Sequence, residues 1–258
     1  LRGRLANRFM KYQAKQEEEM ARLATQIVAV SNYSKGKILD YYNLDRSRIQ
    51  VVPNGVDVEK FKPINPTDAK KQFDLGNEPT VLFVGSLVPR KGLPYLVEAA
   101  KKIVKQQANT RFVIVGSGPL KSQLDQSLKV SGLARNFTFI GSLKDDQLPA
   151  INNAADVFVL PSIQEGQGIV LLEAQACGKP VVAFGVGGVK EAVRESETGF
   201  LLELGDTVGL ADRILELISS EALRQKMGDA GRRFVSENYT WDLCAQRMLG
   251  IYKEALAK

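Results

Sequence analysis

The sequence contains no histidine, and its 258 residues include two cysteines and one tryptophan. Without histidine there is no Ser-His-Asp or Cys-His nucleophile pair, no histidine zinc site and no imidazole acid–base catalysis. Chemistry here has to run on carboxylates, amines, hydroxyls and backbone dipoles. Cys177 and Cys244 form no C-x-x-C pair, so they suggest neither a redox motif nor a zinc knuckle. They read as two buried, reduced thiols of a cytoplasmic protein. No uncharged apolar run approaches the roughly 18 residues of a membrane helix. The opening Leu1-Arg2-Gly3-Arg4 leads into no apolar region of a signal peptide. Hydrophobic residues at 44% and charged residues at 25% fit a globular protein and exclude disorder, collagen-like repeats and a disulfide scaffold.

Thirty-five basic residues against twenty-nine acidic ones give a net charge of +6. That suits an anionic small ligand, an acidic membrane surface or nucleic acid. The excess is spread along the chain, with a modest cluster at Arg2, Arg4, Arg8, Lys11 and Lys15. Phe9 and Tyr12 fall within it without forming a regular aromatic platform, so the cluster reads as the wet face of a helix and nucleic acid is disfavoured.

Periodicity predicts a long helix to about residue 24, a strand at Ile27–Val30, and a helix from an N-cap at Ser31 to Tyr42. A strand at Ile49–Val52 is stopped by Pro53 and turned by Asn54-Gly55. Pro63, Pro66 and Pro79 mark a linker with a weak helix near Ala69–Phe73, so the expected domains are 1–62, 63–240 and 241–258. Beyond it, apolar runs at Val81–Val84, Phe112–Val115, Phe137–Ile140, Val157–Leu160 and Val181–Phe184 each precede a helical stretch. The helix after the fifth run is expected over Val189–Glu195, and a last short strand at Phe200–Leu202 leads to three closing helices. Strands apolar on both faces and alternating with helices predict an α/β fold: a doubly wound, Rossmann-like parallel sheet.

Ligands of such sheets bind at the carboxyl ends of the strands, and four loops there carry candidate groups. Gly85 to Gly92 places Arg90 and Lys91 just before a helix, as a diphosphate site would, although alone it reads better as a solvated basic turn. Gly116-Ser117-Gly118-Pro119 lets backbone approach a ring or phosphate, or is simply a tight turn; it lacks the G-x-G-x-x-G fingerprint of a dinucleotide site. Glu165-Gly166-Gln167-Gly168-Ile169-Val170 leads into a helix carrying Glu173. Its first amides form an anion site, and Glu173 suits vicinal hydroxyls better than phosphate. A carboxylate in an apolar helix end is costly unless used, which favours a functional role over two incidental surface glutamates. Gly185-Val186-Gly187-Gly188 is divided evenly between a flexible turn and a ligand contact.

Glu165 and Glu173, followed by Ala174-Gln175-Ala176-Cys177-Gly178-Lys179-Pro180, resemble the E-x7-E region of glycosyltransferase family 4, the glycosyl transferases group 1 family. Val51 to Asp57, Gly85 to Gly92, Gly116 to Pro119, Gly187-Gly188 and Glu197 to Phe200 stand in that family's order. The resemblance runs from about Ala21 to the C-terminus. It implies the C-terminal, donor-binding half of a GT-B fold with residues 1–62 as the tail of the acceptor-side domain and residues 241–258 as a helix crossing back. It also implies a retaining hexosyl transfer from a UDP- or GDP-linked sugar, with no cofactor and no bound metal.

By the same resemblance, Lys91, with Arg90 beside it, would contact the diphosphate and Glu165 the sugar hydroxyls. Gly116, Ser117, Ser142 and Leu143 would frame the base, Glu173 would bind the ribose, and the amides near Gly168, Ile169 and Val170 would cradle the distal phosphate. The chain departs from the family pattern at Ser86 (commonly arginine), Gln167 (commonly aromatic) and Lys190 (commonly proline). A complete member would carry about 100–200 further residues ahead of Leu1. The partners left open are such an N-terminal domain, self-association through the end segments, and peripheral membrane contact where the acceptor is a lipid. A non-catalytic nucleotide-sugar-binding or assembly module is the alternative function. A nicotinamide oxidoreductase is disfavoured by the missing glycine fingerprint.

Overall fold

A computed structural model describes residues 2–257, with side chains from Tyr12 onward. Of the basic cluster, Arg2, Arg4, Arg8 and Lys11 therefore lie outside the described side chains. The chain forms two compact units, one of residues 1–53 and 244–258, the other of residues 54–243. The division falls at Pro53 rather than in the proline-rich stretch because Val56 and Phe61 are buried in the core of the larger unit.

The smaller unit contains α1 (Arg2–Leu23), β1 (Ile27–Ala29), α2 (Asn32–Tyr42), β2 (Ile49–Val51) and most of the closing helix. β1 and β2 pair in parallel. Ser31 caps α2 by accepting from the Ser34 N–H at 3.0 Å. The Arg48 guanidinium donates to the carbonyls of Ala21, Arg22 and Ala24, satisfying acceptors left open at the end of α1.

In the larger unit α3 (Pro66–Gln72) precedes β3 (Thr80–Val84), α4 (Leu93–Gln106), β4 (Arg111–Val115), α5 (Lys121–Val130), β5 (Phe137–Gly141) and α6 (Leu148–Ala154). β6 (Val157–Leu160), α7 (Ile169–Ala176), β7 (Val181–Phe184), α8 (Val189–Ala192), β8 (Gly199–Leu202), α9 (Thr207–Ser219), α10 (Glu221–Asn238) and α11 (Trp241–Leu256) follow. The six strands form one parallel sheet in the order β5-β4-β3-β6-β7-β8. Every residue of β3, β6 and β7 is buried, as their unbroken apolar sequences require. α4 turns Leu93, Leu96, Val97, Ala100 and Ile103 into the core, a helical spacing. Asp206 and Ser220 cap α9 and α10 through the N–H groups of Gly209 and Leu223.

Two expectations are corrected. The helix after β7 ends at Ala192 rather than Glu195: Val193 is extended and buried, and Glu195 forms a bridge with Gly199, its carboxylate accepting from the Leu201 N–H at 2.5 Å. Cys177 is buried, but Cys244 is only partly so. Gly116 also has a role in the scaffold. Its φ is +130°, and a methyl group there would land on the Gly85 carbonyl, because the loop after β4 crosses directly over the loop after β3. Gly116→Ala is accordingly expected to lower stability by at least about 2 kcal/mol, since neighbouring backbone has to move. Gly132, with φ +70° and open space around it, gives the contrast: Gly132→Ala should lose only about 1 kcal/mol of left-handed strain. Equal urea midpoints for the two variants would refute the close-contact explanation.

Candidate functional site

The sheet changes winding direction between β3 and β6: β4 and β5 add on one side of β3, β6 to β8 on the other. The loops after β3 and β6 therefore diverge at the carboxyl edge and leave a crevice, the place where open α/β sheets hold ligands. Lys91 comes from the first loop and Glu165 from the second. Lys91 Nζ donates to Glu165 Oε1 at 2.5 Å, with both side chains about nine-tenths buried. Ser162 Oγ donates to the same oxygen at 2.8 Å, and exposed Arg90 lies 3.8 Å from the other. The Glu165 carbonyl accepts from the Gly188 N–H at 3.1 Å, which brings the fourth glycine-bearing loop alongside.

A second group sits at the ends of β3, β4 and β5. A cleft of about 250 Å³ is lined by Gly85, Ser86, Gly116, Ser117, Ser142 and Leu143, among others. The hydroxyls of Ser117 and Ser142 are 3.0 Å apart across it. A larger groove of about 750 Å³ lies between α4 and α5, lined by Lys101, Lys105, Gln126 and Val130. It reaches Gly132 and Leu133, which precede β5, and so opens at the other end of the strands.

The third group surrounds Glu173. This carboxyl is partly buried on α7 and its pKa is pushed up to about 7, first by loss of solvent and then by the charge of Asp145, with Lys60 opposing. Lys60 pairs with Asp145. Between Glu165 and Glu173, Gly168 is the N-cap of α7, so the amides of Gly168, Ile169 and Val170 have no partner within the helix. Gly168 itself is buried, and Ile169 and Val170 are partly so.

The structure thus joins Arg90, Lys91 and Glu165 in one cluster, Gly116, Ser117 and Leu143 in a second, and leaves Glu173 in a third. Lys60 and Asp145 were not foreseen. Asp145 had a readable signal, since it follows a strand at its carboxyl end. Among the described residues no group of three or more His, Cys, Asp or Glu could hold a metal ion. No described helix is long and apolar enough to cross a membrane.

The family model described as "Glycosyl transferases group 1" matches residues 65–234, and that described as "Glycosyltransferase Family 4" matches residues 1–60. The chain belongs to the glycosyl transferases group 1 family. This glycosyl transferases group 1 chain is 35% identical over 231 residues to a GDP-mannose-dependent alpha-(1-6)-phosphatidylinositol monomannoside mannosyltransferase of Mycobacterium tuberculosis, covering 86% of the chain and 60% of the relative. Its structure matches sucrose-phosphate synthase from Thermosynechococcus elongatus with a TM-score of 0.86 at 28% identity, over 96% of this chain and 62% of that one. It matches Anabaena HepE, solved in complex with UDP, with a TM-score of 0.82 at 26% identity, over 90% and 65%. The doubly wound sheet is thus that of GT-B glycosyltransferases, and the chain spans about three fifths of the length of these relatives.

The Lys91–Glu165 pair sets a stability test. Removing one partner of a buried ion pair strands the other, at about 3 kcal/mol, whereas removing both is milder. Lys91→Met and Glu165→Gln should each lower stability by that order, and the double variant should recover at least half of the combined loss in urea titrations. Strictly additive losses would show that the two charges do not interact.

Proposed function

We propose that this chain is the donor-binding part of a retaining hexosyltransferase that takes a nucleotide-diphosphate sugar and passes the sugar to an acceptor hydroxyl. The observation that carries the reading is the contrast between two glutamates eight residues apart. Glu165 is neutralised by Lys91, whereas Glu173 is held partly out of water with no ion-pair partner among the described residues. An uncompensated, partly buried carboxylate is stabilised by a ligand that donates hydrogen bonds without bringing negative charge, and a ribose diol does that. The cleft at Ser117, Ser142 and Leu143 is of a size and polarity for the base. The relatives point the same way, one using GDP-mannose and another holding UDP.

In this reading the donor runs along the carboxyl edge of the sheet, base over β4 and β5, diphosphate at the crevice between β3 and β6. The bond between the anomeric carbon and the diphosphate oxygen breaks during transfer, and negative charge grows on the leaving phosphate. Lys91, Arg90 and the amides of Gly168, Ile169 and Val170 stabilise that charge, in a site already dry enough for them to act strongly. Lys91 leaves Glu165 to do so, and the freed Glu165 carboxylate accepts from sugar hydroxyls. Both groups are stored against each other until the substrate separates them. No metal or cofactor enters these steps.

Calorimetric titration with UDP, GDP and ADP, with and without an attached sugar, tests the assignment and names the base. Glu173→Ala should weaken binding of every nucleotide form, and Glu165→Ala should mainly erase the preference for the sugar-linked form. Unchanged affinities in both variants would refute it. The raised pKa of Glu173 adds a pH signature. A diol needs the ionised carboxylate, so affinity for a nucleotide sugar, whose phosphates do not titrate in this range, should rise about tenfold between pH 6 and pH 8. The effect on folding has the opposite sign. The folded carboxyl binds its proton more tightly than the unfolded one, so stability is greatest below about pH 4.5 for this group and is lost as pH rises through about 7. Glu173→Gln should flatten both profiles and at pH 8 raise stability by an amount on the order of 2 kcal/mol.

A further inference from the structure

Gln167 lies between the two glycines of the loop after β6, with its side chain buried. Its amide is committed to a single residue far away in sequence. Oε1 accepts from the Asn54 backbone N–H at 3.0 Å and from Asn54 Nδ2 at 2.9 Å, while Nε2 donates to the Asn54 carbonyl at 3.1 Å. Three mutually consistent bonds in a site with little water fix both partners more firmly than one exposed bond could.

Asn54 is no ordinary loop residue. It is the first residue of the larger unit after the chain leaves the smaller one. Two positions on, the Val56 N–H donates to the Tyr239 carbonyl at 2.7 Å, and Val56 bridges to Thr240 just before the chain returns to the smaller unit at Cys244. A side chain at Gly55 would strike the backbone of Thr240 and Trp241. The outgoing and returning segments are therefore pressed together at this point, and Gln167 ties the loop bearing Glu165 and the Gly168–Val170 amides to them.

We propose that Gln167 is a positioning residue that fixes the amide loop to the chain crossing at Asn54–Val56, so that a nucleotide sugar held by that loop also tightens the crossing. The ligand half of this statement rests on the donor reading above; the positioning half does not. Three amides whose own hydrogen bonds do not involve Gln167 report on it. The Val56 N–H sits in the crossing, and the N–H groups of Gly188, on the loop after β7, and of Leu171, in the first turn of α7, donate to the amide loop's carbonyls at Glu165 and Gly168.

Residue-resolved hydrogen exchange on the whole chain tests the proposal. Gln167→Ala should speed exchange at Val56 about tenfold, and Asn54→Ala should speed it at Gly188 and Leu171, each effect appearing across the contact from the substitution. Adding Asn54→Ala to Gln167→Ala should change little more, because the Asn54 side chain has by then lost its partner. Gln167→Met keeps the length of the side chain and loses all three bonds; it should speed exchange at Val56 as the alanine variant does, and it carries the comparison should the alanine variant not fold. Saturating UDP-glucose or GDP-mannose should slow exchange at Val56 in the unmodified chain and leave it unchanged in Gln167→Ala. Unaltered rates at Val56, Gly188 and Leu171 in the variants would overturn the proposal, and so would ligand protection of Val56 that survives Gln167→Ala. If neither nucleotide sugar binds the unmodified chain, the donor reading fails by itself, and exchange in the free variants still decides the role of Gln167.

Discussion

The loop after β3 is packed backbone against backbone on both flanks, and the placement of the candidate groups follows from that. On one side Gly116 admits the Gly85 carbonyl, and the N–H of Leu87 donates to the Ser117 carbonyl at 2.9 Å. On the other, Gly92 leaves room only for the carbonyl of Pro161, and the Ile163 N–H donates to the Arg90 carbonyl at 2.7 Å. Contacts this close do not tolerate side chains, and they lock three loops from adjacent strands to a common position. Lys91 is delivered to Glu165 by that arrangement, not by any freedom of its long side chain. The glycines at 92 and 116 are thus required by the scaffold itself.

Electrostatics divides the site in two. Around Glu165 the sequence provides a lysine, an arginine and a serine hydroxyl, so a buried charge is matched where it stands. Near Glu173, Lys60 is the cation that opposes the rise in its pKa, and it is already paired with Asp145. The helix bearing Glu173 is otherwise apolar, with Leu171, Leu172, Ala174 and Ala176 buried around it. Such a helix loses little by keeping a neutral carboxyl and loses more when that carboxyl ionises, which is why the proton is held to about neutral pH.

The sheet was legible in the sequence almost residue for residue, because parallel strands covered on both faces must be unbroken apolar runs; β6 and β7 have the bounds that the runs indicate. The over-long helix after β7 shows where that logic stops. Val189 to Glu195 carries a helical pattern, but the buried position of Val193 and the bridge from Glu195 to Gly199 are tertiary facts that local periodicity does not encode. Glu173 stood out in the sequence because a carboxylate is expensive at an apolar helix end, whereas Lys91, on its own loop, read as part of a solvated basic turn. The partners of Gln167 and of Lys60 were not, since Asn54 is 113 positions from the first and Asp145 is 85 from the second.

Burial raises the Cys177 thiol to about 12, so at neutral pH it presents almost no thiolate, and the side chain is out of reach as well. Cys244 lies partly exposed on α11, just past the point where the chain re-enters the smaller unit. The two thiols are therefore kinetically unequal, and a maleimide dye or a spin label will find the second first. The protein arrives with one addressable anchor for a probe on the smaller unit, while the unit that carries the candidate site remains unlabelled and needs no cysteine removed from it.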